Sequence, residues 1–355
     1  AIYQKPHTPL TIEDVELSDL RADEVLVRTV CSGVCHSDMH FVDGLWALPM
    51  PAVLGHEASG VVERVGANVG YVKPGDRVIM SFKPFCGQCY YCIRGEAHLC
   101  NDPGLAARGA QHLKWQGKPV LQMASVGSFS EYMITPESGV VKIPADMPMA
   151  EAALIGCGVM TGVGAAINTA QIKPGSSVII FGAGGVGIAA IQGARIAGAA
   201  EIVAVDKVDS KLELALKFGA THAIRPEAVE STKASVTGGE GFDYAIECVG
   251  HPALIRQSFD VTRRGGTAVI VGVGRLTEEV KFNAFEMFYH EKNLKGSMFG
   301  SANVRLDFDR LLRLWKYGKL DLEGMISRRI KLGEVNEAFR AMQQGEVIRS
   351  VIEYS

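Results

Sequence analysis

The stretch Ser177-Val-Ile-Ile-Phe181-Gly182-Ala183-Gly184-Gly185-Val186-Gly187 decides the fold of the second half of this chain. Its first five residues are mostly β-branched and predict a short buried strand, and the glycines after them predict a tight turn that opens a helix. Such glycines let a pyrophosphate approach the backbone, and the first N–H groups of the helix face that anion. We predict a dinucleotide-binding turn with contacts from Gly182, Gly184, Gly185, Val186 and Gly187. The alternative is a glycine-rich turn without a ligand.

Strands and helices alternate around this turn, from about residue 161 to residue 296. We predict strands at 177–181, 201–205, 243–247 and 267–271, and helices at 210–218 and 253–262. This alternation is typical of a parallel sheet with helices on both faces. The sequence therefore predicts an α/β cofactor domain of the Rossmann type over residues 159–298.

Asp206 follows the next predicted strand after the glycine turn. A carboxylate at this position accepts hydrogen bonds from the ribose hydroxyls of a dinucleotide and repels a 2′-phosphate. We therefore predict NAD rather than NADP as the cofactor. Lys211 stands near enough in sequence to contact the adenosine ribose, although a solvated helix lysine explains it equally well.

The first part of the chain has a different texture, with short strands and frequent turns from about residue 24 to residue 143. Strands are predicted at 24–30, 58–65 and 77–81, which indicates a mainly β domain. Beyond residue 299 we predict helices at 306–317 and 335–344 and a last strand at 350–353. Because chain ends commonly lie close together, this tail is expected to return to the β domain.

Four cysteines form a C-x2-C-x2-C-x7-C run at Cys86, Cys89, Cys92 and Cys100. Four thiolates at this spacing can surround one soft cation, and zinc is the usual occupant. A site with four protein ligands has no position left for substrate, so we predict a structural zinc. The chain has eight cysteines, but its length and paired spacing favour metal over disulfides.

A second set of metal-ligand residues is spread along the chain. Cys35 follows a strand, His56 lies in Gly55-His56-Glu57, and Cys157 precedes the cofactor domain. Two cysteines and one histidine make a three-ligand zinc site with an open fourth position, where the metal acts as a Lewis acid on an alcohol. Taken alone, Cys157 would most often be a buried core thiol, but it lies between the two textures of the chain, where a site that faces the cofactor is expected.

The pattern Gly55-His56-Glu57-x2-Gly60-x5-Gly66-x2-Val69 resembles the signature of zinc-containing alcohol dehydrogenases of the medium-chain dehydrogenase/reductase superfamily. The four-cysteine lobe, the stretch around Cys35 and the glycine turn occur in the same order as in that family, so the resemblance covers essentially the whole chain. It implies a GroES-like catalytic domain formed by residues 1–158 and 299–355, with the structural zinc lobe at about 84–102. It also implies a homodimer or homotetramer built across the cofactor domain.

The resemblance also implies roles for single residues. Cys35, His56 and Cys157 would hold the catalytic zinc, with Glu57 behind it or transiently on it and Asp38 as the partner of His56. Ser37 would accept the alcohol proton and His40 would complete the relay to water. The remaining positions implied at the cofactor are His36, Val273 and Arg349, and those around the alcohol are Trp46, Phe82 and Phe299.

The implied reaction is the reversible oxidation of a primary alcohol, aliphatic or benzylic, to an aldehyde with hydride transfer to NAD. Residues 129–132 and 156–162 are similar to two other branches of the family. One oxidises a glutathione adduct of formaldehyde, and the other keeps NAD bound and passes electrons to another acceptor. A non-catalytic NAD-binding redox sensor is the alternative from a different class.

Composition excludes several other classes of function. A net charge of −3 and 21% charged residues favour neither nucleic acid nor an acidic membrane. The apolar stretch 178–200 contains several glycines and Arg195, which suits a buried strand, turn and helix better than a membrane span. Residues 1–10 lack a basic flank followed by an apolar run, so we predict no secretory signal and a cytoplasmic location.

Overall fold

A computed structural model describes residues 1–108 and 112–354, with only the backbone described at 106–108. The chain forms two compact units. The first unit contains Ala1–Cys157, Asn303–Gly318 and Leu322–Ser355, and the second contains Gly158–Ala302 and Lys319–Asp321. These ranges differ from the predicted domain ranges at residues 158, 299–302 and 319–321.

Six parallel strands form the sheet of the second unit. In spatial order they are His222–Ile224, Glu201–Val205, Ser177–Phe181, Phe242–Glu247, Thr262–Ile270 and Asn293–Gly296. Numbered along the chain, the order is 3-2-1-4-5-6, which is the Rossmann order with a ligand crevice where the order reverses. The predicted parallel sheet is confirmed, although its fourth and fifth strands begin earlier than predicted.

Helix Met160–Gly164 precedes these strands, and the helices that connect them are Gly185–Ile196, Asp209–Phe218, Val229–Thr237, Pro252–Asp260 and Ala284–His290. Local sequence explains where several of them begin and end. Helix Pro252–Asp260 starts with proline, and the ring of His251 accepts a hydrogen bond from the N–H of Ala253 at 3.2 Å. Helix Asp209–Phe218 ends at Gly219, whose φ of +112° suits glycine.

A seven-stranded sheet forms the centre of the first unit. Six strands lie in the order Val140–Lys142, Arg77–Met80, Glu57–Val65, Glu24–Val34, Arg349–Glu353 and Ile326–Ile330, and Tyr132–Pro136 also pairs with Glu24–Val34. The C-terminal strand Arg349–Glu353 is antiparallel to Glu24–Val34, so the tail does return to this sheet. Val25, Val27 and Val62 belong to the apolar core beside it.

The first unit also contains a smaller five-stranded sheet. Its order is Ile2–Tyr3, Ala52–Val53, Lys118–Gln122, Leu113–Trp115 and Glu16–Leu17. Buried Tyr3, Phe129 and Phe339 belong to the core cluster that packs against it. The two sheets confirm the predicted mainly β, GroES-like character of this part of the chain.

The first unit also contains several helices between and after its strands. The helices of the first unit are His36–Val42, Pro103–Arg108, Met149–Leu154, Val304–Lys316 and Val335–Gln343. Helix His36–Val42 begins at His36 with Cys35 as its N-cap. Asp38 in the first turn accepts the backbone N–H of Cys35 at 3.2 Å, which secures this short helix.

The helical stretch Met149–Ala170 is long and apolar enough to cross a membrane by length and composition. However, 89% of its most apolar window is buried within the protein. Its side chains therefore pack as those of a core helix do.

Candidate metal and cofactor sites

The four cysteines of the predicted structural site converge, as their spacing predicts. All four Sγ atoms lie within 4.8 Å of one another. The Sγ of Cys89 lies 3.5 Å from that of Cys92 and 3.9 Å from that of Cys100, and the Sγ atoms of Cys86 and Cys92 are 4.0 Å apart. A tetrahedron with Zn–S bonds of about 2.3 Å has edges of about 3.8 Å. The sulfur positions therefore fit one zinc ion.

Backbone N–H groups donate hydrogen bonds to sulfurs of this lobe and favour the thiolate form of Cys89. The N–H of Cys86 donates to the Sγ of Cys100 at 3.4 Å, and the N–H of Cys89 donates to the Sγ of Cys86 at 3.3 Å. Hydrogen bonds from the backbone lower the pKa of Cys89 to about 6, although desolvation opposes them. Such N–H···S contacts orient ligands around a metal.

The second cluster brings together Cys35, His56 and Cys157, whose ligand atoms lie within 4.8 Å of one another. All three residues are buried and belong to the first unit. Cys35 joins strand Glu24–Val34 to the following helix, and His56 directly precedes strand Glu57–Val65. Cys157 lies in a π-helical turn, a feature often found at functional sites. Two sulfurs and one imidazole at these separations fit a zinc ion and leave one tetrahedral position for another ligand.

Gly55 is required by the turn that presents His56. Its φ is +90°, and a Cβ at this position would lie 2.4 Å from the Oγ of Ser128. Its N–H donates to the Oδ1 of Asp38 at 2.9 Å. A glycine therefore fits the tight backbone that turns the imidazole towards the two sulfurs.

The buried carboxylate of Asp38 connects the segments that carry two of these ligands. Its Oδ2 accepts the N–H of Cys35, and its Oδ1 accepts both the N–H of Gly55 and the Nδ1–H of His56, the latter at 3.0 Å. Burial lowers the pKa of His56, but the charge and hydrogen bond of Asp38 raise it well above its ordinary value. Asp38 thus makes the imidazole a stronger base.

Proton sharing links the two sulfurs of this cluster. The hydrogen bond with Cys157 lowers the pKa of Cys35 well below its ordinary value, although burial opposes this shift. The same hydrogen bond and burial raise the pKa of Cys157. A thiolate beside a thiol is suited to a cation, because metal binding releases the remaining proton.

Glu57 and Arg349 form a buried ion pair beside the cluster, with Oε1 and Nη2 3.2 Å apart. Glu57 lies opposite Gly33 across the sheet, where a Cβ on Gly33 would be 2.2 Å from the Oε2 of Glu57. Burial lowers the pKa of Arg349, but Glu57 and the two sulfurs raise it above its ordinary value. The contact of Arg349 with a pyrophosphate and that of Glu57 with the metal stay predictions.

The residues of the predicted relay lie on helix His36–Val42. The Oγ of Ser37 is 3.9 Å from the Sγ of Cys35, so the hydroxyl lies beside the metal cluster. His40 follows Ser37 by three residues, about one helical turn, so the two side chains lie on the same side of the helix. His40 is half-buried. His36 is exposed on this helix.

Two of the predicted substrate-contact residues lie against site histidines. The ring of Trp46 is 4.7 Å from that of His40, and the ring of Phe82 meets that of His56 edge-on at 5.6 Å. Phe299 is buried in the second unit, so its place beside the other two stays a prediction.

The glycine turn of the second unit has the geometry of a dinucleotide site. Gly182 has φ of +91°, and a Cβ on Gly187 would lie 1.7 Å from the carbonyl oxygen of Gly182. A Cβ on Gly184, by contrast, would have no heavy atom within 4 Å. Helix Gly185–Ile196 begins here with Gly184 as N-cap. The turn is therefore tightly packed on its inner side and open where a phosphate would approach.

Asp206 lies at the end of the neighbouring strand and is bound to the glycine turn. Its Oδ2 accepts the N–H of Ala183 at 2.8 Å, and its Oδ1 accepts the N–H of Val208 at 3.0 Å. A carboxylate offers about four acceptor sites, so two can still receive ribose hydroxyls. Lys211 is half-buried on helix Asp209–Phe218, and Val273 is half-exposed beyond strand Thr262–Ile270.

Sequence reasoning missed two polar clusters of the first unit. The ring of His112 contacts the Oγ of Ser18 at 3.0 Å and the Oε1 of buried Glu24 at 3.1 Å. Glu151 is buried 4.0 Å from the Nη2 of Arg329, and its carboxyl shares a hydrogen bond with that of Glu323. These residues stand far apart in sequence and belong to no motif, so no local signal could have paired them.

Comparison with known proteins agrees with this architecture. Residues 21–145 match the Alcohol dehydrogenase GroES-like domain, and residues 185–316 match the Zinc-binding dehydrogenase family. The NDMA-dependent alcohol dehydrogenase of Amycolatopsis methanolica is 39% identical over 100% of this chain and 98% of its own length.

Two solved structures are similar throughout. The alcohol dehydrogenase zinc-binding domain protein from Burkholderia ambifaria has a TM-score of 0.94 at 35% identity. The benzyl alcohol dehydrogenase from Acinetobacter calcoaceticus has a TM-score of 0.93 at 31% identity. Each comparison covers 100% of this chain and 98% of the other.

The fold and the two sulfur-rich clusters define a dehydrogenase with a GroES-like and a Rossmann domain. The chain belongs to the zinc-containing alcohol dehydrogenase family of the medium-chain dehydrogenase/reductase superfamily. It is accordingly an oxidoreductase that acts on small-molecule alcohols, and the non-catalytic sensor interpretation finds no support among these relatives.

Proposed function

We propose that this protein is an NAD-dependent zinc alcohol dehydrogenase that reversibly oxidises primary alcohols, aliphatic or benzylic, to aldehydes. The observation that carries the proposal is the convergence of Cys35, His56 and Cys157 within 4.8 Å in a buried site of the first unit. Three ligands of this type are typical of catalytic rather than structural zinc. A second zinc per chain is proposed at the four-cysteine lobe.

The side chains around the cluster have separable roles in this proposal. Bound zinc and NAD would supply a Lewis acid and a hydride acceptor. Asp38 orients His56, and the Glu57–Arg349 pair keeps a buried charge balanced beside the sulfurs. The Ser37 hydroxyl accepts the alcohol proton, and His40 passes it to water.

NAD is proposed in preference to NADP because of Asp206. Its carboxylate is held by two backbone N–H groups at the end of the strand after the glycine turn. The negative charge would repel a 2′-phosphate, whereas the remaining acceptor sites suit the two ribose hydroxyls. His36, Lys211, Val273 and Arg349 are proposed as further cofactor contacts.

The substrate class is proposed from the aromatic residues Trp46, Phe82 and Phe299, which suit an apolar chain or ring. The name of the structurally similar benzyl alcohol dehydrogenase supports a benzylic substrate. Primary alcohols are proposed because the bulk of Trp46 would restrict larger substrates.

A homodimer or homotetramer is proposed from the edge of the Rossmann sheet. Strand Asn293–Gly296 ends the sheet, and the helix before it exposes Phe285, Phe288 and Tyr289. An open strand edge beside exposed aromatic rings is suited to a second copy of the chain. We also propose that the protein is cytoplasmic.

A second candidate is an enzyme that keeps NAD bound and passes electrons to another acceptor. The observation that favours it is the full-length 39% identity to an alcohol dehydrogenase whose name makes it NDMA-dependent. A glutathione-adduct formaldehyde dehydrogenase is the other branch alternative, and the same assay can test it.

The test combines zinc content with turnover. The purified protein should hold two zinc ions per chain and form NADH from NAD with ethanol, hexanol or benzyl alcohol. Turnover with NDMA but not with added NAD would favour the bound-cofactor enzyme, and turnover with S-hydroxymethylglutathione alone would favour the glutathione branch.

The matched variants are Cys157→Ala and Cys31→Ala, since both remove a buried thiol. Cys157→Ala should retain one zinc and lose activity by more than about 100-fold, because loss of a residue that only orients a ligand already costs about 10–100-fold. Cys31→Ala should keep both zinc ions and its activity. Full activity and two zinc ions in Cys157→Ala would refute the proposed site.

A further inference from the structure

The chain folds back on itself directly after helix His36–Val42. The N–H of Asp43 donates to the carbonyl of Met39 at 2.8 Å, and Gly44, with φ of +66°, reverses the backbone. The N–H groups of Leu45 and Trp46 then both donate to the carbonyl of His40, at 2.8 and 3.2 Å. The backbone of Trp46 is therefore attached to the residue that its ring contacts.

The indole of Trp46 lies against two rings of this helix. Its centroid is 4.7 Å from that of His40 at an interplanar angle of 46°, and 5.5 Å from that of Phe41 at 78°. Phe41 is buried in the core, so it provides a fixed support for the indole. The indole of Trp46 therefore packs against both a buried core ring and the imidazole.

We propose that Trp46 is a positioning residue for His40. The indole of Trp46 holds the imidazole of His40 in one orientation and stabilises its protonated form. The proposal rests on the proposed function, because His40 acts in the proton relay only if that function is right. An aromatic face attracts a cation whose centre lies within about 6 Å. Packing against the indole also restricts rotation of the imidazole, which favours a single proton path.

Other titratable groups lie around this turn. His36 and Asp38 are on the same helix, and Asp38 is engaged with His56. Asp43 follows the helix and accepts a hydrogen bond from Gln343 at 3.2 Å. A Cβ on Gly44 would lie 3.2 Å from the Nε2 of His7, so His7 also faces the turn. These charges are present in every variant compared below.

Fluorescence can test the contact without any turnover. The chain has three tryptophans, so Trp115→Phe/Trp315→Phe leaves Trp46 as the single indole. A protonated imidazole in contact with indole quenches its emission. We expect the emission to fall as the pH is lowered, and the additional change His40→Gln to abolish that titration. An identical titration with and without His40 would overturn the proposed contact.

Kinetics test what the contact does. If His40 must be unprotonated to accept a proton, Trp46→Ala should move the acidic limb of the kcat profile to lower pH by about 0.3 to 0.7 units. Trp46→Phe retains an aromatic face and should restore most of the original profile. Trp115→Phe is the control for loss of an indole elsewhere and should leave the profile unchanged.

The outcomes separate this inference from the proposed function. An unchanged pH profile with an altered KM for large alcohols would make Trp46 a substrate-wall residue and overturn the positioning role. If no variant or parent oxidises alcohols, the proposed function fails and so does the role in the relay, whereas the fluorescence titration still decides the contact. A thermal unfolding midpoint for each variant identifies any general loss of folding.

Discussion

The Nδ1–H of His56 donates to the buried carboxylate of Asp38 at 3.0 Å. Because a carboxylate can only accept, this contact places the proton on Nδ1 and leaves the lone pair of Nε2 for a metal. The same oxygen also holds the N–H of Gly55, the residue before His56. One side chain therefore sets the tautomer of the ligand and the backbone that carries it.

Asp38→Asn should weaken the catalytic metal site. An amide can donate as well as accept, so the substituted side chain would no longer select the Nδ1–H tautomer of His56. The substitution also removes the negative charge that lies beside the imidazole ring. We expect zinc affinity or kcat/KM to fall about 10–100-fold, measured by zinc content under chelator challenge and by steady-state kinetics. Asp43→Asn changes a nearby carboxylate that does not contact His56, and it should behave as the parent. Equal zinc retention in both variants would contradict the role assigned to Asp38.

Gly184→Ala and Gly187→Ala form a matched pair in the nucleotide turn. A Cβ on Gly187 would meet the carbonyl of Gly182 at 1.7 Å, whereas one on Gly184 meets no heavy atom within 4 Å. Gly187→Ala should therefore lower the thermal unfolding midpoint, with a cost of about 1–3 kcal/mol. Gly184→Ala should fold normally but bind NAD more weakly, because its methyl group occupies the phosphate approach. Normal NAD titration in Gly184→Ala would argue against a pyrophosphate at this turn.

Asp206→Ser should change the choice of cofactor. Removal of the carboxylate ends its repulsion of a 2′-phosphate, so the ratio of kcat/KM for NADP to that for NAD should rise at least about tenfold, equivalent to about 1.4 kcal/mol. Asp209 begins the helix that follows Asp206 and forms an ion pair with Arg225. The variant Asp209→Ser is therefore the control. If both variants keep the preference of the parent, cofactor choice does not depend on Asp206.

Glu151 should make stability depend on pH. Burial and the hydrogen bond with Glu323 raise the pKa of Glu151 from 4.5 to about 7 in the folded protein. Between these values the folded state holds more protons, so its favourable contribution is complete below about pH 4.5 and is lost as the pH rises towards 7. Glu151→Gln should therefore raise the free energy of unfolding more at pH 8 than at pH 5, by on the order of 1 kcal/mol, and the thermal midpoints at the two pH values measure this difference.

The partner variant Glu323→Gln provides the comparison. Glu323 has a lowered pKa, chiefly because of its hydrogen bond with Glu151, and its side chain is largely exposed. Glu323→Gln should reproduce only part of the gain at pH 8, because burial, the larger cause, still raises the pKa of Glu151 in that variant. Equal shifts of the two midpoints at both pH values would mean that Glu151 does not carry the buried proton.

Several features of the fold follow from short-range patterns. Strand Ser177–Phe181 has its predicted bounds because a serine and four apolar residues are followed by a glycine turn. The four-cysteine lobe converges because its ligands are close in sequence and need little chain closure. Helix His36–Val42 was not predicted, because it is short and lies within a β texture.

The candidate catalytic site depends more on chain closure over long distances. Residue types and motif spacing were enough to predict Cys35, His56 and Cys157 as ligands, because few residue types bind zinc and family motifs place them. Three contacts depend on the folded chain. Glu57 forms an ion pair with Arg349, and the ring of Trp46 packs against that of His40. Glu151 is buried near Arg329. These contacts join residues through turns and sheet pairing, so they depend on packing rather than on local periodicity. Sequence therefore determines which chemistry this protein can perform, and the tertiary structure decides how its charges and rings are arranged to perform it.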